Sequence, residues 1–193
     1  MIFFDIQFNH FLYNLRTETF VNFFSIVTWL GKWWIVFFLA FIISIIFWKR
    51  KEKFNALALW SALAAANATA FLGKTICRRP RPELAVYNEH SFSFPSAHAI
   101  NAVVFYGFLL YIFWQKSKNL KQKILSTLAG LSIMFIIGFS RLYLGVHYLS
   151  DVLAGYLIGA IWLIATINIK QRVKNKGGGN GERKNGERKR IYK

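Results

Sequence analysis

Long apolar runs separated by short polar clusters set the pattern of this chain. Residues 33–48, 54–76, 96–114, 124–143 and 147–169 each approach the ~20 residues that cross a hydrocarbon core at ~1.5 Å per residue. Apolar side chains fill these runs instead of striping one face, so the pattern predicts lipid-embedded helices. The expected fold is all-α, a polytopic transmembrane bundle with five spans. Residues 20–30 are apolar but too short to cross alone, and Gly31-Lys32 separates them from the first span. They read either as a half-span or as an extension of the next helix. Residues 1–19 mix aromatic and polar positions and predict a short interfacial segment. Within the spans, Asn67 and Thr69 are expected to make helix-packing hydrogen bonds. Gly155 and Gly159 form a small-xxx-small pair that permits close helix contact.

Charge then orients the bundle. The net charge is +17, which by itself would fit a nucleic-acid partner. Its distribution argues for a membrane instead. Four basic residues lie in 49–53, four in 116–123 and ten from Lys170 onward, together eighteen of the 25. Those three segments share one side if five spans alternate, and the positive-inside rule makes that side cytoplasmic. The loop 77–95 and the turn 142–147 then meet on the outer face. Residues 171–193 contain Gly177-Gly178-Gly179 and two copies of Asn-Gly-Glu-Arg-Lys. They predict a basic, disordered cytoplasmic tail that serves as a topology determinant. The N-terminus lacks the basic region and cleavage pattern of a signal peptide. A single cysteine, Cys77, allows no intramolecular disulfide.

The outer face gathers the chemistry. Lys74, Arg81 and Arg141 are cations, His98 and His147 imidazoles, and Asp151 the one nearby carboxylate. Charged groups at a membrane edge are costly unless paired or wet, and so point to a functional site. Guanidinium forks and a lysine match phosphate oxygens. Pro95-Ser96 opening a helix would add free N–H groups and a hydroxyl to the same anion. On a helix, His147 and Asp151 at i, i+4 would share a face, and the carboxylate would fix the imidazole tautomer. Two histidines in different surroundings allow one to attack phosphorus and the other to move a proton. Two His and one Asp make a poor divalent-metal site, so no metal or other cofactor is expected.

Taken singly, each group has a bland reading. A lone interfacial histidine is more often a structural hydrogen-bonding residue. Arg78 and Arg79 read as contacts to lipid headgroups or water, Glu83, Glu89 and His90 as ordinary loop residues, and Asn101 as a packing group. Together, however, Lys74-x6-Arg81-Pro82, Pro95-Ser96-Ala97-His98 and Ser140-Arg141-x5-His147-x3-Asp151 resemble the three-part signature of the type 2 phosphatidic-acid phosphatase family, with Ala97 where glycine is usual. The resemblance covers residues 20–170, the expected lipid phosphatase domain.

The resemblance implies about six transmembrane helices and metal-independent removal of phosphate from a lipid phosphate or diphosphate. It implies His147 as a nucleophile forming a phosphohistidine, Asp151 as its partner, and His98 as proton donor to the leaving oxygen. Lys74, Arg81, Ser96 and Arg141 would hold the phosphate. The expected location is a bacterial inner membrane with the site outside, the partners being membrane lipids and not nucleic acid. Undecaprenyl diphosphate is the first expected substrate, ahead of phosphatidylglycerophosphate, phosphatidic acid and the 1-phosphate of lipid A. A soluble vanadium haloperoxidase shares a similar site but not the spans.

Two other classes compete. A non-hydrolytic lipid-phosphate transporter would use the same cations, although such proteins show paired repeats and broken helices that are not visible here. A scaffold acting through the basic tail would lose function with that tail. Removing residues 171–193 is therefore expected to leave phosphate release from lipid phosphate essentially intact in detergent, and abolished turnover would favour the scaffold.

Overall fold

In a computed structural model the backbone is described for residues 2–191 and the side chains for 3–173. Seven α-helices follow in order: α1 (Ile2–Asn14), α2 (Glu18–Val27), α3 (Trp33–Lys49), α4 (Lys53–Cys77), α5 (Ala97–Lys116), α6 (Leu120–Tyr143) and α7 (Leu149–Ile191). A 3-10 turn, Thr28–Gly31, joins α2 to α3, and the pair is bent by 50°. Four helices are long and apolar enough to cross a membrane: α4, α5, α6 and α7 as far as Val173. The bent pair makes a fifth span if taken as one. The apolar stretch 20–30 is thus an extension broken by a bend. Counted this way the spans number five, as the apolar runs predicted, while α1 is a separate short helix ahead of them.

Local chemistry explains where the elements stop. The Thr17 hydroxyl accepts from Phe20 N at the start of α2, and the Asn119 side chain accepts from Lys121 N at the start of α6. Arg78 adopts a left-handed conformation after α4 and ends it. Proline 95 stands just ahead of α5, whose N-cap is Ser96. The backbone of α7 continues helically to Ile191, where the low-complexity composition predicted disorder. A helix already nucleated by a packed span adds one bond per residue without a new nucleus. The side chains of residues 174–193, most of the predicted tail, lie outside the described residues, as does the backbone of 192–193.

Helix α5 is the centre of the packing. Leu59, Leu63 and Ala66 of α4 meet Ile100, Phe105 and Phe108 of α5 in one core with Val36 and Ala40 of α3. The expected polar contacts are present: Asn67 donates to Asn101 Oδ1 at 2.8 Å, and Trp162 Nε1 to Thr69 Oγ1 at 3.0 Å. Outside the core, Leu128, Phe135, Leu157 and Ile164 are exposed on α6 and α7, as lipid contact requires.

Two ends result. Lys116 pairs with Glu52 at 2.6 Å, so the basic loops 49–53 and 116–123 share one end. At the other, Val86 N donates to Leu144 O and Arg81 to Val146 O, joining the loop 77–95 to the turn before α7. The N-terminus belongs to this second end: Arg16 donates to Tyr143 O at 2.7 Å and to Leu84 O at 2.5 Å.

Gly155 and Gly159 bring α7 against the start of α5, as their spacing predicted. A Cβ on Gly155 would stand 2.7 Å from Ser96 O and 2.9 Å from Ala99 Cβ. Gly155→Ala must therefore push α7 from the site end of α5, which is expected to cost about 1–3 kcal/mol. Thermal unfolding in detergent checks it, with a lowered Tm as the expected outcome.

Candidate active site

Three segments with no helical continuity meet at the second end: the loop after α4, the start of α5, and the turn between α6 and α7. Gly145 at φ +67 makes that last turn possible, and a Cβ there would collide with Arg16 and with Leu84 O. His147 lies in the turn and Asp151 in the first turn of α7, so the helical i, i+4 face expected for the pair does not form. The turn nevertheless brings them together, with Nδ1 of His147 3.5 Å from Oδ2 of Asp151. That separation is long for a hydrogen bond and short enough to tighten when the imidazole gains charge. The same Oδ2 accepts from Tyr148 N at 2.9 Å. Both side chains are almost wholly buried.

The cations surround this pair. Arg81 NH1 lies 3.3 Å from Nε2 of His147 and donates to Val146 O at 2.6 Å, while its Nε donates to Ser91 O. Arg141, with no exposed surface, donates to Thr28 Oγ1 at 2.8 Å and to the Tyr87 hydroxyl at 2.6 Å. Lys74 donates to Phe92 O and lies within electrostatic reach of Arg81 and Glu89. Four site atoms are buried without a protein hydrogen-bond partner: Ser96 Oγ, His98 Nε2, Arg141 Nε and His147 Nδ1. Such groups are rare unless a ligand or catalytic step uses them. A cavity of about 450 Å³ is lined by residues of the loop 79–92 that include Arg79, Arg81, Tyr87 and Glu89.

Asp151 is not the one nearby carboxylate. Glu89 bridges the two arginines, one oxygen 2.7 Å from Arg81 and the other on Arg141. Burial pushes its carboxyl up, but Arg141 and Arg81 outweigh that and hold it below the usual range. Arg79 also belongs to the site, donating to Asp151 Oδ1 at 2.6 Å and to Asp5 at 2.8 Å. Sequence reasoning left both residues among the loop and headgroup contacts. Nothing in a proline-rich basic loop distinguishes which arginine turns inward, and Asp5 lies far away along the chain. For His147, burial dominates and pushes the imidazole down to about 4 against the opposing pull of Asp151, so it stands neutral at physiological pH.

All seven residues singled out in the sequence gather at this end. Of the groups that line it, His98 comes within electrostatic reach of Arg141 and His147. Among the described residues, no group of three His, Cys, Asp or Glu side chains is arranged to hold a metal ion.

Residues 55–175 match the PAP2 superfamily. Phosphatidylglycerophosphatase B of Bacillus subtilis is 35% identical over 99 residues, which cover 50% of this chain and 48% of that protein. The bacitracin transport permease protein BcrC of Bacillus licheniformis is 30% identical over 129 residues, 61% of this chain and 58% of the relative. The chain thus spans about half the length of these curated relatives. The crystal structure of a transmembrane PAP2-type phosphatidylglycerolphosphate phosphatase from Bacillus subtilis superposes with a TM-score of 0.82 at 27% identity, over 88% of this chain and 85% of that one. Aquifex aeolicus LpxE gives 0.67 at 28% identity, over 84% and 93%. The family match takes in Lys74, both histidines, Arg141 and Asp151, and the chain belongs to the PAP2 superfamily.

Proposed function

We propose that this protein is a membrane lipid phosphatase that works through a phosphohistidine on His147. The observation that carries the reading is the setting of His147. Its Nδ1 faces a buried carboxylate and its Nε2 faces Arg81, which lines a cavity with Arg79 and Glu89. With the Nδ1 proton turned toward Asp151, the Nε2 lone pair attacks phosphorus and the phosphorus–oxygen bond to the lipid breaks. His98 gives its proton to the departing oxygen. It then takes a proton from water, which attacks the phosphohistidine and releases phosphate with His147 restored. Arg81, Arg141, Lys74, Ser96 and the N–H groups opening α5 stabilise the charge of the transferring group. None of these steps calls on a metal. The basic loops at the opposite end support a site on the outer face of the membrane, with the C-terminus inside.

The substrate class is a lipid phosphate or diphosphate. The outward, compact site by itself favours undecaprenyl diphosphate. The likeness to two proteins named for phosphatidylglycerophosphate supports that monoester, and we place it first. Purified protein in detergent with chelator is expected to release phosphate from one of phosphatidylglycerophosphate, undecaprenyl diphosphate, phosphatidic acid or lipid A 1-phosphate. His147→Ala is expected to lose at least a thousandfold in kcat. Equal activity of the two proteins on every lipid sinks the reading. Movement of intact lipid phosphate across a vesicle bilayer without hydrolysis would instead favour the transporter, the class that the name of the bacitracin transport permease protein BcrC suggests.

Glu89 occupies both cradle arginines, so an incoming phosphate must displace it. Glu89→Gln removes the competing charge. It is expected to tighten inhibition by orthovanadate roughly tenfold, the scale of one charge-assisted hydrogen bond. An unchanged or weaker inhibition constant would show that phosphate and Glu89 do not share the arginines.

A further inference from the structure

Helix α1 buries two polar residues beside Leu12. Asp5 is 3% and Asn9 5% exposed, whereas Phe3, Phe4 and Phe11 face outward. An ion buried in this way is costly unless fully paired, and Asp5 is paired. Its Oδ1 accepts from Ser150 N at 3.0 Å, and its Oδ2 from Ser150 Oγ at 2.6 Å and from Arg79 at 2.8 Å. It therefore caps the N-terminus of α7, where a carboxylate is favoured by the helix dipole. Arg79 continues the chain of contacts. It stacks over the Tyr148 ring at 4.1 Å and donates from NH1 to Ser150 Oγ and to Oδ1 of Asp151.

We infer that Asp5 and Arg79 are positioning residues for the reaction: they clamp one oxygen of Asp151 so that the other stays turned toward His147. A carboxylate rotates about its Cβ–Cγ bond, and this one has a guanidinium on Oδ1 and an imidazole facing Oδ2. Arg79 alone would draw the Asp151 charge away from His147. Asp5 shares that guanidinium and fixes it from the far side, leaving Asp151 free to stabilise the imidazolium-like state that forms as Nε2 bonds to phosphorus. The first helix of the chain, outside the matched family stretch, thus completes the site from a distance.

The inference rests on His147 as nucleophile. The test uses the full chain in detergent and the lipid that wild type turns over fastest, with orthovanadate as a probe of the cradle. Asp5→Asn and Arg79→Gln are each expected to lower kcat roughly tenfold or more. Asp5→Asn should leave KM and vanadate inhibition within about twofold, because it does not touch the cradle. The double variant should be no slower than Arg79→Gln alone, because Asp5 acts through Arg79. An unchanged kcat in Asp5→Asn overturns the clamp. So do multiplied losses in the double variant, or kcat, vanadate binding and Tm falling together, which would mark a mere anchor for α1. Retained turnover in His147→Ala would instead overturn the nucleophile, so the two failures can be told apart.

Discussion

Arg141 carries a charge with no exposed surface, and its need for partners shapes the end of the molecule around it. Its guanidinium reaches Thr28 in the 3-10 turn, Tyr87 in the loop after α4, and Glu89 a little further on. Meeting the first partner draws the bend between α2 and α3 into the site, where Gly31 packs against His98 and Ile137 without room for a side chain. Meeting the other two folds the loop 77–95 over the bundle end. That loop has no secondary structure of its own, and Arg81 fastens it further through Ser91 and Val146. Neutral residues there would leave little reason for the loop to close.

This dependence explains what could and could not be read in advance. The spans were legible because apolar length has one physical meaning in a bilayer, and α4, α5 and α6 begin and end within a few residues of their predicted bounds. The gathering of these seven residues at one end was legible because the topology placed three polar segments on one face. The roles of Glu89, Arg79 and Asp5 were not. Each depends on which of several similar side chains turns inward across a loop or from a helix 145 residues away. The i, i+4 spacing of His147 and Asp151 led to the right contact for the wrong reason. A turn led by Gly145, with Tyr148 N on Asp151, provides the approach that a continuous helix was expected to give.

The two ends of the bundle treat charge differently. At the basic end Lys116 and Glu52 form a partly exposed pair, worth little by itself, and positive charge there chiefly sets orientation. At the site end the pairs draw on the buried Asp5, Asp151 and Arg141, and removing the partner of a buried charge is far more costly than the pair is stabilising. Such a network is a poor investment in stability, and it makes sense where the charges have work to do on a ligand. The small residues of α7 serve the same end. Gly155 lets Asp151 O accept from Ser96 N, so the carboxylate beside His147 and the N-terminus of α5 are held in one frame.

The charge balance shows why a phosphate suits this frame. Lys74, Arg79, Arg81 and Arg141 face Asp5, Asp151 and Glu89, which leaves one positive charge in excess before the histidines are counted. Asp5 and Asp151 are tied to each other through Arg79, and Asp151 faces His147. Glu89 alone among these three carboxylates bridges Arg81, which lines the cavity, and the buried Arg141. When it leaves them, two positive charges are uncompensated, matching the near-dianion of a phosphate monoester at neutral pH. The geometry therefore separates two kinds of carboxylate: a pair tied through Arg79 beside the His147 imidazole, and Glu89, which bridges Arg81 and Arg141 where the proposed phosphate would bind.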